Sequence, residues 1–492
     1  MKLKNNIIMA LLIGATSTSY AQYEGDAGRF SIGNNAGDAR IDAIGGQKAA
    51  IGGNISTIYG NPAGLGMFSK SEFSISPRLN FGSNKIGAFG TSEKQSNNNL
   101  DLGNVGVVFH TRTYTAGDTK KGLISLNFGI GYQRTGAYRD KFGFSGETDF
   151  NGLGDYFAQE SNFDLEGGAT VDPSKLLSDV HYQAYQAYLT DWDGTDYFPI
   201  TSNDSEQKYN INRTGGSSEV DFSLGMNFSN KLFFGVGLGL ANLNYASTER
   251  VNETGLSQEP GNTQTTNYNV TYNRNFDTEG SGVNLKLGAI LKPTPELQIG
   301  LALQTPTWYS ITDNYSESLA DNIIGGTANM QYPYEYELRT PLKINGGIAY
   351  FIGSKGFISA DVGFTDYSKN KITSNNASID QTTNMRIKNM YANAVNYSVG
   401  GEYKIDKSWL VRAGFRSDGN PYKNLRDKDY TVNSISGGIG YRFGDYHLDA
   451  ALINSNGYFN YSNYLLVSGN PEPQASVDKR INRLMLTFGV RF

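Results

Sequence analysis

RLMLTFGVRF, residues 483–492, decides the fold: Leu484, Leu486, Phe488, Val490 and Phe492 alternate with Arg483, Met485, Thr487, Gly489 and Arg491. A period of two is that of a strand whose two faces meet different surroundings. Ending a strand on an exposed Phe would leave a soluble protein with an edge open to unwanted pairing, whereas in a closed cylinder that edge pairs with the first strand.

The same template, carried outward from this segment, predicts fourteen strands. They fall near 73–81, 104–113, 122–132, 219–228, 232–245, 283–292, 296–304, 342–351, 356–368, 396–405, 408–416, 433–443, 445–454 and 483–492. The connections alternate between short ones, such as Ser229–Lys231, Pro293–Pro295 and Ile352–Lys355, and long ones, the largest running from about 133 to 218. An even number of strands with short turns on one side and long loops on the other is the plan of a bacterial outer-membrane barrel. The fold expected is therefore all-β, a 14-stranded antiparallel transmembrane β-barrel spanning residues 71–492.

Charge placement separates this from a half-buried soluble sheet. In the seven strands beginning at 220, 283, 297, 397, 409, 435 and 484, the phase carrying large apolar residues holds no charge. Asp221, Lys286, Glu402, Arg412, Arg442 and Arg483 all fall on the other phase. A Lys or Arg on the lipid face near mid-bilayer costs about 2–4 kcal/mol, so exclusion is what a membrane imposes. The 59 Gly, 32 Tyr and 26 Phe among 492 residues, at a mean hydropathy of -0.43, suit a barrel with aromatic girdles and a polar lumen. No stretch approaches the roughly 18 apolar residues of a membrane helix. Cysteine is absent, which excludes disulfide scaffolds and thiolate sites. A net charge of -5 indicates no nucleic-acid partner. Residues 1–21 read as a signal peptide: Lys2 and Lys4, the apolar run Ile7–Ile13, then the cleavage site Ser19-Tyr20-Ala21. This leader implies export to the outer membrane.

Residues 22–70 do not alternate and are rich in Gly and Ala. A fourteen-stranded lumen needs a filler if it is not to leak, and this segment is expected to be an N-terminal hatch, or plug, inside it. Gly45-Gly46 and Ile55-Ser56-Thr57-Ile58-Tyr59-Gly60-Asn61-Pro62-Ala63-Gly64-Leu65 resemble the hatch of the FadL/TodX family, marked by Asn-Pro-Ala just before the first strand. Leu287-Gly288-Ala289-Ile290, Gly363-Phe364-Thr365-Asp366-Tyr367-Ser368 and Arg412-Ala413-Gly414-Phe415 are similar to barrel segments of that family. The terminal Phe492 likewise resembles the signal read by barrel-assembly machinery.

The resemblance implies transport of hydrophobic compounds, long-chain fatty acids or similar lipophiles. They would be captured in an apolar lumen and released laterally past the hatch, beside a kinked third strand. The gate would be Asn61, Pro62 and Ala63 facing strand three, with Gly129 and Gly131 permitting the bend. In the long connection, Asp172 and Pro173 open a helix with Leu176, Leu177, Val180, Ala184 and Tyr188 on one face. This face forms either a first docking groove for substrate or a lid that packs the loops together.

No catalytic chemistry is legible. His110, His181 and His447 share no metal-ligand spacing, no nucleophile elbow or Walker loop occurs, and Asp191, Asp193 and Asp196 depart from a calcium loop. The chain is thus expected to be a monomeric, cofactor-free and metal-free non-enzyme, its partners a hydrophobic small molecule and outer-membrane lipid. The alternative is an outer-membrane docking or shuttle barrel for a protein secretion system; a third reading, a diffusion porin, requires an open lumen.

Overall fold

In a computed structural model the description covers residues 23–33, 37–46, 48–113, 121–148, 151–163, 165–166, 169–170, 172–202, 204–423, 430–464, 466 and 472–492. The expected leader, residues 1–21, lies outside them.

Among the described residues, fourteen antiparallel strands form the wall: β1 Glu72–Ala88, β2 Thr91–Arg112, β3 Leu123–Ala137 resuming as Asp140–Thr148, β4 Ser205–Phe228, β5 Leu232–Ser257, β6 Thr266–Leu291, β7 Leu297–Gln304 resuming as Trp308–Asp321 and β8 Thr327–Arg339 resuming as Lys343–Phe351. They continue with β9 Gly356–Asp366 resuming as Lys371–Thr373, β10 Asn393–Lys404, β11 Trp409–Asp418, β12 Val432–Phe443, β13 Tyr446–Ser462 and β14 Gln474–Arg491. Each pairs with its neighbours in sequence, and β14 pairs with β1, Phe73 opposite Val490 and Leu79 opposite Leu484, so the sheet closes on itself.

The outward phase is apolar: Phe73, Ile75, Leu79 and Phe81 on β1, Val236, Leu238 and Leu240 on β5, and Ile435 on β12, the last 67% exposed. Only hydrocarbon makes such exposure stable, since burial away from water is the driving force for these side chains. At the rim of short turns, Tyr350, Tyr403, Trp409, Tyr441 and Tyr446 form an aromatic belt. Inward positions such as Ser74, Ser76 and Arg78 are polar and buried.

The strands outrun their expected ends at the other rim. The connection expected over 82–103 is a β-hairpin whose turn, Phe89 and Gly90, has both residues at positive φ, as a two-residue turn matching strand twist requires. The connections expected over 246–282 and 305–341 likewise shrink to 258–265 and 322–326. Above the lipid both faces meet water or polar neighbours, so a run such as Asn252-Glu253-Thr254 keeps its hydrogen-bond ladder without an apolar phase to reveal it.

The interruptions in β7 and β8 have a local cause. Pro306 and Pro341 lack the N–H that the ladder needs, and Thr307 and Thr340 repair the gap by bonding each other, at 2.8 and 3.0 Å. The interruption in β3 follows a slip in its register against β4.

The described residues among 23–68 lie inside the cylinder. Helix α1 (Tyr23–Ser31) and helix α2 (Ala39–Asp42) precede two 3-10 turns, Ile55–Ile58 and Pro62–Met67. Ala27, Ala39, Ile44, Ile55, Ile58 and Leu65 are fully buried.

Candidate functional site

Asn61 caps the second 3-10 turn, its Oδ1 accepting from the Ala63 N–H at 3.1 Å. Its Nδ2 donates to the carbonyls of Ala49 at 2.5 Å, Leu301 at 3.3 Å and Ala289 at 3.4 Å. A β-carbon at Gly235 would lie 2.1 Å from the Pro62 carbonyl carbon, and one at Gly288 would lie 1.9 Å from Asn61 Oδ1. Asn61, Pro62 and Ala63 therefore press on β4, β5 and β6 rather than on strand three, a correction to the expected gate.

Gly129 and Gly131 are also corrected. They make room for the hatch instead of bending β3: a β-carbon at Gly131 would lie 2.3 Å from Tyr59 Oη, and one at Gly129 would lie 2.8 Å from Ile58 Cγ1. The Tyr59 hydroxyl donates to the Val105 carbonyl at 2.9 Å. Through both glycines the β3–β4 register is unbroken, slipping before them between Leu123 and Ser125 and after them between Arg134 and Gly136. The strand then breaks at 138–139, where Gly215 of β4, at φ +100°, turns its carbonyl toward both Arg134 and the Tyr138 N–H. The bend exists, but it lies beyond the predicted glycines. Ile58, Tyr59 and Leu65, which do face β3, lie in the stretch that resembles the family hatch but outside its Asn-Pro-Ala mark.

This break leaves a lateral gap. β3 pairs with β2 over Ser125–Gln133 against Asn104–Arg112. Thr91–Asp101 of β2 have only β1 as ladder partner among the described residues, and the resumed part of β3 pairs with β4. A side-chain bond, Gln95 Nε2 to the Gly143 carbonyl at 3.1 Å, crosses the opening. Outside it stands Leu100, 65% exposed.

A cavity of about 310 Å³ adjoins the gap. Its floor is the hatch at Asp42, Gly45 and Gly46, and its walls include Asn97 and Asn99 of β2, Arg139 and Asp140 of β3, and Arg483 of β14. At this level the lumen is of mixed character. Ala137, Val432, Ile453, Phe459 and Ile481 supply apolar wall, interspersed with amides and charges. Burial pushes the Asp42 carboxyl up to about 6, against the Arg483 charge.

The lumen is blocked above and below the cavity. Below, Arg40 of the hatch makes a two-pronged pair with Glu402 at 2.8 and 2.9 Å, and Lys48 holds Asp361 at 3.2 Å. Above, helices α3 (Leu153–Phe163) and α4 (Asp179–Gln186) pack Leu153, Phe157, Val180 and Ala184 into an apolar core with Tyr209, Tyr268, Tyr272 and Tyr461 of the strand tops.

The single helix expected from Asp172 to Tyr188 is split. Asp172 caps a 3-10 turn, Pro173–Lys175, the chain extends through Leu176 and Leu177, and Ser178 caps α4. A second good cap three residues after the turn restarts the helix, so the five residues do not share a face. Val180 and Ala184 are buried in the lid core, Leu177 is 65% and Tyr188 38% exposed, and Leu176 is half-buried. The Asp193 carboxylate is taken by its own turn, accepting from Thr195 and Asp196 N–H groups. His110 Nδ1 lies 2.7 Å from Asn127 Oδ1.

Comparison with known proteins agrees with this architecture. The fold is shared with a Pseudomonas aeruginosa FadL homologue, 13% identical, at a TM-score of 0.55 over 92% of this chain and 98% of that one. It is shared too with the P. putida toluene transporter TodX, also 13% identical, at a TM-score of 0.53 over 93% and 99%. No curated protein sequence matches. The family described as "Outer membrane protein transport protein (OMPP1/FadL/TodX)" matches residues 203–455, just over half of the sequence. The chain is a member of that family.

Proposed function

We propose that this barrel carries lipophiles, long-chain fatty acids or similar compounds, from the long-strand rim into the lumen and releases them sideways into the bilayer between β2 and β3. The observation that carries the reading is the unpaired edge Thr91–Asp101 opposite the β3 break, with the cavity on its inner side and Leu100 on its outer side. A lipophile gains nothing from crossing a water-filled pore, and a wall opening at lipid level delivers it where its transfer free energy is favourable. The solved relatives include a toluene transporter, which supports the cargo class. In this reading the short-turn rim is periplasmic and the hatch keeps the lumen shut to ions while the gap serves the membrane. The exposed residues of the split helix segment, Leu177 and Tyr188, would meet cargo first.

Because the chain has no cysteine, the gap can be stapled cleanly. Gln95→Cys with Ser145→Cys, joined by a short bis-maleimide, is expected to abolish uptake of labelled oleate, while each single variant treated identically retains it. Undiminished uptake by the stapled barrel would rule out the lateral route.

A further inference from the structure

Two buried acceptors at the cavity have nothing to accept from among the described residues. Asp42 and Asn84, 6% and 1% exposed, both line it. Asp42 Oδ1 accepts from the Gly37 N–H at 2.7 Å, but its Oδ2 has no hydrogen bond, the Arg483 guanidinium standing 3.9 Å away. Asn84 Nδ2 donates to Asp140 Oδ1 at 2.6 Å, and its own Oδ1 has no partner. A buried acceptor left unmet costs about 1–3 kcal/mol, so a ligand supplying donors recovers that loss. Neither a carboxylate nor a hydrocarbon supplies any.

Charge excludes the other common donor. Lys479 and Arg416 are matched by Asp140 and Asp418, each at 2.7 Å. Arg483 stands against Asp42 and donates to Asn80 Oδ1 at 2.9 Å, so the Arg139 guanidinium remains on the wall. An ammonium would meet that cation; a hydroxyl donates to the orphan oxygens and accepts from the Arg139 guanidinium. Size points the same way. At about 310 Å³ the space is at the small end of ligand sites, roughly 300–1,000 Å³, enough for a head but not for a long chain besides. Asn97 and Asn99 face it from β2, Asn99 one position from the outward Leu100 at the gap.

We propose that this cavity holds the polyhydroxylated, uncharged head of an amphiphile, such as a sugar-headed lipid, while its chain leans out through the β2–β3 gap into the membrane. The inference rests on the lateral-gap reading and deepens it.

The test is calorimetric titration of the purified protein in lipid nanodiscs with octyl glucoside below its micellar concentration, octanoate and octylamine. The glucoside is expected to bind at least tenfold more tightly than the other two, and Asn84→Leu and Asp42→Leu are each expected to erase that preference. Octanoate or octylamine binding as well as the glucoside would overturn the proposal, as would an unchanged preference in a folded Asn84→Leu barrel. If neither variant folds, the order of affinities in the wild type decides. Should stapling leave oleate uptake intact while the glucoside preference holds, the route fails and the head site stands; should stapling block uptake while octanoate wins, the reverse follows.

Discussion

Asn61 shows how much one amide does here. It closes its own turn and ties the hatch to three backbone carbonyls from Ala49, Ala289 and Leu301. Asn61→Asp keeps the cap but replaces a donor by an anion facing those carbonyls. It is expected to loosen the hatch more than Asn61→Ala does, by upwards of about 3 kcal/mol, seen as faster protease cutting of the N-terminal segment in the folded barrel. Sequence alone marks Asn-Pro-Ala as special but not its neighbours, because carbonyl partners on β6 and β7 leave no trace in residue type. Glu24 and Asp26 of α1 give a pH dependence. Burial pushes both carboxyls up to about 7, so inside the barrel they hold protons that a released helix would lose. Seating of α1 is therefore firmest below the ordinary carboxylate range and weakens as pH rises to about 7, each pH step of one across that interval costing about 1.4 kcal/mol per group. A spin label at Ala27 should report a more mobile helix at pH 8 than at pH 5; the opposite trend would refute this sign.

At the scale of elements, the hatch is held by buried ion pairs. Lys48 has no exposed side-chain surface and Asp361 only 8%, and removing one partner of such a pair costs about 3–5 kcal/mol. Lys48→Met is expected to release the hatch at a lower urea concentration, and Lys48→Met combined with Asp361→Asn should recover part of the loss, read by the same protease assay. The strands are legible for one reason and illegible for another. Where lipid lies outside, as along Leu484, Leu486 and Phe488, alternation is compulsory. Where β5 and β6 rise clear of the membrane, around Asn252 and Tyr272, no such pressure acts, and strand reads as loop. The β3 break is visible in the sequence only as a resemblance, its position set by the register slip opposite Ser217 and by the turned backbone of Gly215 rather than by Gly129 or Gly131. The split before α4 is hidden because Asp172 and Ser178 are equally good caps and only packing against Tyr272 and Leu319 decides which one starts the longer helix.

For the whole molecule, closure is the legible property, since the phase of the charges and the aromatic rim both follow from a cylinder in lipid. What fills the cylinder is legible only as a segment of small residues, because its contacts are with strands hundreds of positions away, as Arg40 is from Glu402. Two obstructions, the hatch and the lid core, stand in series along the lumen. Deleting residues 22–68 should therefore raise ion conductance in planar bilayers well above that of the intact protein, though below that of an open porin because α3 and α4 still cap the far end. Equal conductance before and after deletion would mean that the hatch seals nothing.

The seam between β1 and β14, closed to its last rung by the Phe492 N–H on the Ser71 carbonyl, fixes an order of events in the birth of this protein. The two edges that meet there are the first and the last barrel strands to leave the ribosome, so the zipper cannot shut until the last of them has been made. A stopper seated while the ribbon still gapes need not be threaded into a finished ring.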